Sequence, residues 1–288
     1  MKKFWYFTAI CLIAIGVIGA LAIGQKSDGD LPSFEKKWTF SASDLRNLHV
    51  VSDYPVNISF VKSTDGQNSI HLNGSGTEKM IEKAMATEIS DQSLKLDLTR
   101  LPKKYINFFD FNFSNQTKEE LVISVTDDSL LEKLKVSLDS GNITVTDAAL
   151  VQISSAELST DSGNITLDHF KSNYLNLDAD SGNIKGNHVT AELVASTDSG
   201  NITLENMTGS TNISVDSGNV KLYKLDTSDT DISVDSGNAY VQVPSSFAGS
   251  YDLKVDSGNI NAPESKHETN EFVKIRTDSG NIKVEQQQ

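Results

Sequence analysis

The chain has 288 residues, a formal net charge of −14 and one cysteine. An acidic balance of this size, with no basic patch to offset it, excludes the usual electrostatic footprint of a nucleic-acid partner. The lone Cys11 leaves no intramolecular disulfide framework.

At the N-terminus, Lys2 and Lys3 precede residues 4–24, which are 21 residues without a charge. That length crosses a hydrocarbon core as a helix. The flanking lysines, with Asp28 and Asp30 on the other side, place the N-terminus in the cytoplasm and the rest of the chain outside. Cleavage as a signal peptide is the rival reading, because Ala20 and Ala22 form a small-x-small site, although secretory apolar cores are usually shorter. Cys11 follows Ile10 rather than a small residue, which disfavours lipidation. Residues 1–24 are thus expected to be a cytoplasmic tip and transmembrane anchor, and residues 25–34 a polar linker.

Residues 35–128 read as irregular β-structure. Alternating apolar and polar residues predict strands at 48–51, 56–61, 69–72, 93–99 and 120–126, separated by turn-rich segments at 64–68 and 73–76. Thr77 predicts a short helix from Glu78. These strands are expected to be starting coils continuous with the C-terminal half of the chain, a separate small β domain being the alternative. Residues 105–113 carry five aromatics, with Phe109, Phe111 and Phe113 alternating with polar residues. Phe108, Phe109, Phe111 and Phe113 are the candidate interaction residues, as an exposed patch; the alternative favoured on physical grounds is an edge or cap that closes the first coils.

From residue 129 to 288 the pattern changes. Asp-Ser-Gly-Asn occurs eight times, starting at Asp139, Asp161, Asp180, Asp198, Asp216, Asp235, Asp256 and Asp278, in steps of 22, 19, 18, 18, 19, 21 and 22 residues. Apolar residues stand three before and four after each Asp, and small or β-branched residues stand one before it. Each unit is therefore strand, turn, strand, and no unit of this size buries its apolar face alone. The predicted fold is all-β: a single-stranded β-solenoid of stacked 18–22-residue coils, with like residues in columns. In each corner Gly supplies an unusual backbone conformation, Asp is expected to cap the amide two residues on, and Asn is expected to stack as an amide ladder.

The N-terminal anchor, the Lys135–Val136–Ser137–Leu138 lead-in and the repeated Asp-Ser-Gly-Asn-Ile turns resemble the bacterial "putative adhesin" family of DUF4097-like β-solenoids over roughly residues 44–285. They are also similar to a membrane-anchored protein encoded with an envelope-stress system of Gram-positive bacteria. The resemblance implies an extracytoplasmic envelope protein and brings no catalytic residues.

Stacking in register would set the Asp carboxylates about 4.8 Å apart, where like charges in bulk water repel by about 0.8 kcal/mol per neighbour. A row of Ca²⁺ ions on Asp161, Asp180, Asp198, Asp216 and Asp235 is one way to offset this; local capping of turn amides is the blander one. Uniformly stacked carboxylates offer no differentiated acid and base, so no enzyme activity, no catalytic residue and no cofactor are expected. His49, His71, His169, His188 and His267 show no i, i+4 pairing, which argues against a zinc site. Two functions are left: a membrane-anchored extracytoplasmic interaction or scaffold protein of the cell envelope, adhesin-like and accessory to envelope stress, with an envelope protein or glycan as partner; or a glycan- or cation-binding module using a lateral face. Tyr174, Tyr223, Tyr240 and Tyr251 share no common repeat position, which weighs against an aromatic ladder for glycans.

Overall fold

The computed structural model describes residues 31–99, 119–126 and 129–287. Twenty strands, one α-helix and one 3-10 turn make up these residues. Each coil runs along one face, turns at Asp-Ser-Gly-Asn, runs back along a second face and turns again. The strand before the corner and the strand after it both pair in parallel with their counterparts in the neighbouring coil, as in Leu177↔Ala195 and Ile165↔Ile184. Val136, Leu158, Leu177, Ala195, Ile213 and Ile232 line one wall of the core, and Ile143, Ile165, Ile184, Ile202, Val220 and Ala239 line the other. The all-β, solenoid-like stack predicted from the repeat is observed. The second corner is continuous strand in two coils, Ile165–Ser181 and Ile184–Ser199, and turn or irregular in the others.

The corner explains why the tetrapeptide is invariant in type. The Gly amide donates to the Ser carbonyl of an adjacent coil, for example Gly163 to Ser181 at 3.0 Å and Gly200 to Ser217 at 3.0 Å. Backbones approach so closely here that a Cβ on Gly218 would lie 1.6 Å from the Gly200 carbonyl oxygen. The Asn side chains form the expected ladder: Asn183, for instance, donates from its backbone and side-chain amides to Asn164 Oδ1, both at 3.0 Å. The expected Asp cap is corrected. Its amide, two residues on, is already spent on the neighbouring coil, and the Asp side chains point to solvent. Inward-facing Thr160, Thr197 and Thr277 satisfy their hydroxyls on Gly carbonyls across coils.

The coils do not stack in chain order at either end. At the start, β1 (Ser33–Phe40), β2 (Asn47–Ser52), β3 (Val56–Lys62), β4 (Asn68–Ser75), α1 (Glu78–Ala86), β5 (Ser93–Leu98), β6 (Glu119–Val125), β7 (Leu130–Ser140) and β8 (Ile143–Thr146) follow in sequence. The β2/β3 coil is sandwiched: β2 pairs with both β5 and β7, and β3 with both β6 and β8. Antiparallel β4 and β1 then extend the β6 edge. The helix α1, capped by Thr77 and burying Met80 and Ala84, packs on β5 and β1. The buried Lys36 ammonium donates to the carbonyls of Met85 and Thr87, pairs with Glu88 at 3.2 Å and lies 4.8 Å from the Trp38 ring centroid. A cation at the orphan carbonyls completes the helix C-terminus and ties it to β1.

At the other end the last coil in sequence is not the last in space. Strand Phe272–Ser279 lies between Thr230–Ser236 and Ser250–Ser257. Ile282 is therefore 1% exposed, while Ile260, from the preceding repeat, is 44% exposed. The terminal coil presents two edge strands, Ser250–Ser257 and the two-residue Ile260–Asn261, and Pro263 follows the second. A short strand ending near a residue without an amide donor discourages further pairing.

The inverted order makes a direct test. Ile282→Ala should destabilise the chain by about 2–4 kcal/mol as a buried truncation, whereas Ile260→Ala should cost under about 1 kcal/mol. Urea unfolding of both variants reads the difference; sequential stacking would give the reverse order.

Candidate functional site

The parallel register converts repeat positions into surface columns, and one column stands out. Five residues after each Asp, in spatial order, come Thr144, Thr166, Lys185, Thr203, Lys221, Tyr240, Lys283 and Asn261. Each sits mid-strand with its side chain outward, because the flanking residues at even offsets face the core. With the ladder residues Asn183, Asn201, Asn219 and Asn238, the residues Lys185, Thr203, Lys221 and Tyr240 line an open groove of about 620 Å³. Lys185 and Lys221 make no ion pair among the described residues. They are two strands apart, or about 9.6 Å at the usual strand spacing.

The far end of the groove is braced by aromatic and charged groups. Tyr223 and Tyr240 have ring centroids 5.4 Å apart. The Tyr240 hydroxyl donates to Glu285 Oε2 at 2.7 Å, and Lys283 pairs with Glu285 at 2.6 Å. Burial first, then that hydrogen bond and the Glu285 charge, push the Tyr240 phenol up to about 12. Tyr240 is therefore a neutral, oriented ring at any physiological pH. The two tyrosines occupy different repeat positions, as the sequence shows, yet neighbouring coils still bring them together.

The Asp column lies on the corner beside this groove. Asp161, Asp180, Asp198, Asp216 and Asp235 are all exposed, and the neighbour of Asp235 is Asp278 rather than Asp256. Burial, then the carboxylates of Asp161 and Asp198 and that of Asp178, push the Asp180 carboxyl up. Neighbouring carboxylates thus add to burial in disfavouring the charged form of Asp180. Phe108, Phe109, Phe111 and Phe113 lie outside the described residues, as does the expected membrane anchor; among the described residues no helix is long and apolar enough to cross a membrane.

Two histidines that lack i, i+4 spacing nevertheless meet across coils. His169 and His188 each stand eight residues after the Asp of their own corner, so one coil places them side by side with rings stacked at 4.6 Å and 7°. A spacing of one coil, rather than one helical turn, is the signal in the sequence that pairs them. The same signal finds Lys185 and Lys221.

Two ionisable groups are buried away from the groove. Lys224 donates to Gly209 O and to Ser228 Oγ at 2.7 Å, and pairs with Asp226 at 3.2 Å. Burial lowers its pKa while Asp226 and Asp229 oppose that, and its hydrogen-bonding capacity is used within the corner. Glu119, at the start of β6, is fully buried, and neither carboxylate oxygen has a hydrogen-bond partner among the described residues. Gly74 makes room for it, since a Cβ there would meet Glu119 Oε2 at 1.7 Å. Burial raises the Glu119 carboxyl to about 7, opposed by the nearby Ser75 backbone amide, whose geometry falls short of a hydrogen bond.

A model of the family described as Toastrack DUF4097 matches residues 46–285. Solved structures similar to this chain include a "putative lipid binding protein" from Parabacteroides distasonis, 18% identical with a TM-score of 0.49, covering 89% of this chain and 97% of that one. A "putative adhesin" from Bacteroides fragilis is 15% identical with a TM-score of 0.40, covering 88% and 97%. A "putative cell adhesion protein" from Clostridium sporogenes is 15% identical with a TM-score of 0.35, covering 89% and 100%. No curated protein matches the chain.

The raised Glu119 pKa carries a sign. The folded carboxyl holds its proton more tightly than the unfolded one at 4.5, so stability is full below about pH 4.5 and falls as pH rises toward about 7. Glu119→Gln should remove that fall, which amounts to up to about 3 kcal/mol. Melting temperatures at pH 4.5 and pH 8 check this: the variant should gain only at pH 8, and an equal shift at both would refute it.

Proposed function

The chain belongs to the Toastrack DUF4097 family, and from that premise we propose that it is an adhesin-like interaction protein of the cell envelope, held by its N-terminal apolar segment with the solenoid outside the membrane. The observation that carries this reading is the open lateral groove of Lys185, Thr203, Lys221 and Tyr240 beside the Asn ladder. Its floor is a set of paired strands, so it offers rigid side chains at a fixed repeat rather than an enclosed pocket. Unpaired ammonium groups, hydroxyls, amides and one oriented phenol suit a repeating polymer that carries both negative charge and hydroxyl groups. An anionic envelope glycan has that chemistry.

The net charge of −14 opposes such a partner at long range. At physiological ionic strength the Debye length is about 8 Å, so the distant carboxylates are largely screened while lysines in contact with the polymer are not. Hydrogen bonds to charged groups contribute about 1.5–3 kcal/mol each, and repetition of weak contacts along a polymer multiplies their effect. Contact with an envelope protein through the same face, and an accessory part in envelope stress, belong to the same reading through the family resemblance of the anchor and turns.

The test uses polygalacturonate as an anionic glycan and dextran as a neutral one. The full chain should be retained by the first and not the second, with retention falling as salt rises. Lys185→Ala with Lys221→Ala should weaken retention at least tenfold, and Tyr240→Ala severalfold, without loss of fold by circular dichroism. Retention unchanged in the double variant would overturn the assignment of the groove. Crosslinking in cells, with and without envelope stress, then identifies the natural partner.

A further inference from the structure

The second corner of the coil carries a separate constellation, at the opposite end of the strands that form the groove. Asp147, His169, His188 and Asn206 occupy equivalent places in four successive coils, and all four have left-handed backbone conformations with φ of 58, 50, 51 and 55°. Asn and Asp tolerate that conformation through local hydrogen bonding, so the backbone alone does not require histidine there. Two of the four are nevertheless histidine, in adjacent coils, both exposed, with parallel rings 4.6 Å apart.

A carboxylate completes the group. Asp168 Oδ2 lies 3.0 Å from His169 Nδ1. Its other oxygen accepts from Asn187 Nδ2 at 2.9 Å, and Asn187 in turn accepts from Asn206 at 2.9 Å. A short side-chain ladder thus fixes the carboxylate beside the two imidazoles. One donor atom from each of Asp168, His169 and His188 lies within 4.8 Å of the others.

We propose that Asp168, His169 and His188 form a surface site for a divalent transition-metal ion, with Zn²⁺ as the reference ligand. Two imidazoles and one carboxylate are a recognised donor set for such ions, and they leave the remaining positions to water. Zn–N distances of about 2.0–2.1 Å require the two ring nitrogens to approach to about 3.3 Å at tetrahedral angles. The rings are stacked with centroids 4.6 Å apart and nearly parallel planes, so their in-plane lone pairs do not yet converge; both side chains are exposed and free to rotate about χ1 and χ2 to meet one ion. The ion would bridge two coils and replace the ring stack with bonds to one cation. Oxygen-preferring ions such as Ca²⁺ are disfavoured by the imidazoles.

The experiment is calorimetric titration of the full chain with ZnCl₂, accompanied by imidazole NMR. The expected result is one ion bound with micromolar affinity, with shifts confined to the His169 and His188 resonances and absent from His49, His71 and His267. His169→Asn and His188→Asn should each weaken binding at least tenfold, and Asp168→Asn severalfold. Asn is the appropriate substitution because Asn206 already holds the same backbone conformation, so the metal-free melting temperature should be unchanged. Zn²⁺ binding that persists in the His169→Asn/His188→Asn double variant, or resonance shifts only at other histidines, would overturn the site. CaCl₂ should give no competing signal at the same concentrations; equal affinity for Ca²⁺ would also overturn it.

Discussion

The structure depends on how closely two backbones can lie at the Asp-Ser-Gly-Asn corner. Strands in adjacent coils are about 4.8 Å apart, and at the corner the chain must turn without widening that spacing. Only a residue without a Cβ fits, as the carbonyl of Gly200 under Gly218 shows. Once the corner is that tight, the Gly amide reaches the Ser carbonyl of the adjacent coil and each Asn side chain reaches its neighbour. Gly amides, Ser carbonyls and Asn side chains of the turn are then spent between coils. The same contact sets the register, and the register decides which side chains share a core wall or a surface column.

Columns are how this fold makes surfaces. A residue type repeated at one offset becomes a stripe, and a departure from the repeat becomes a local feature. The stripe of Asp carboxylates carries the cost visible in the raised pKa of Asp180. The departures carry the chemistry. Lysine and tyrosine replace threonine at the fifth position after the Asp, and histidine replaces asparagine or aspartate at the eighth. Both replacements are at outward-facing positions, so they leave the backbone contacts of the Asp-Ser-Gly-Asn corner in place.

The ends obey a different constraint. A solenoid has two open edges, and this chain handles them by going out of order. At the first end it builds outward and returns, leaving the outer coil beneath α1 and antiparallel β1 and β4. At the second it passes over one coil and inserts the last repeat between two others, so that Ser250–Ser257 and Ile260–Asn261 form the outer edge. Burial of Ile282 against exposure of Ile260 is the measure of that choice.

Much of this was legible in the residues. The Thr77 cap signalled the short helix, while the tetrapeptide spacing and its flanking alternation determined an all-β stack, both core walls, the glycine corner and the asparagine ladder. Each of the latter follows from local chemistry repeated at a constant interval. The Asp cap does not form because its amide is taken by a residue about twenty positions away, a competitor that no local pattern reveals. The inverted order of the terminal coils and the burial of Glu119 were decided by tertiary structure alone, whereas the meeting of His169 with His188 and the alignment of Lys185 with Lys221 follow from the coil spacing once the corners stack in register. In each case the contact is between residues a whole coil or more apart, and the choice among neighbouring coils depends on how the edges of the stack are covered.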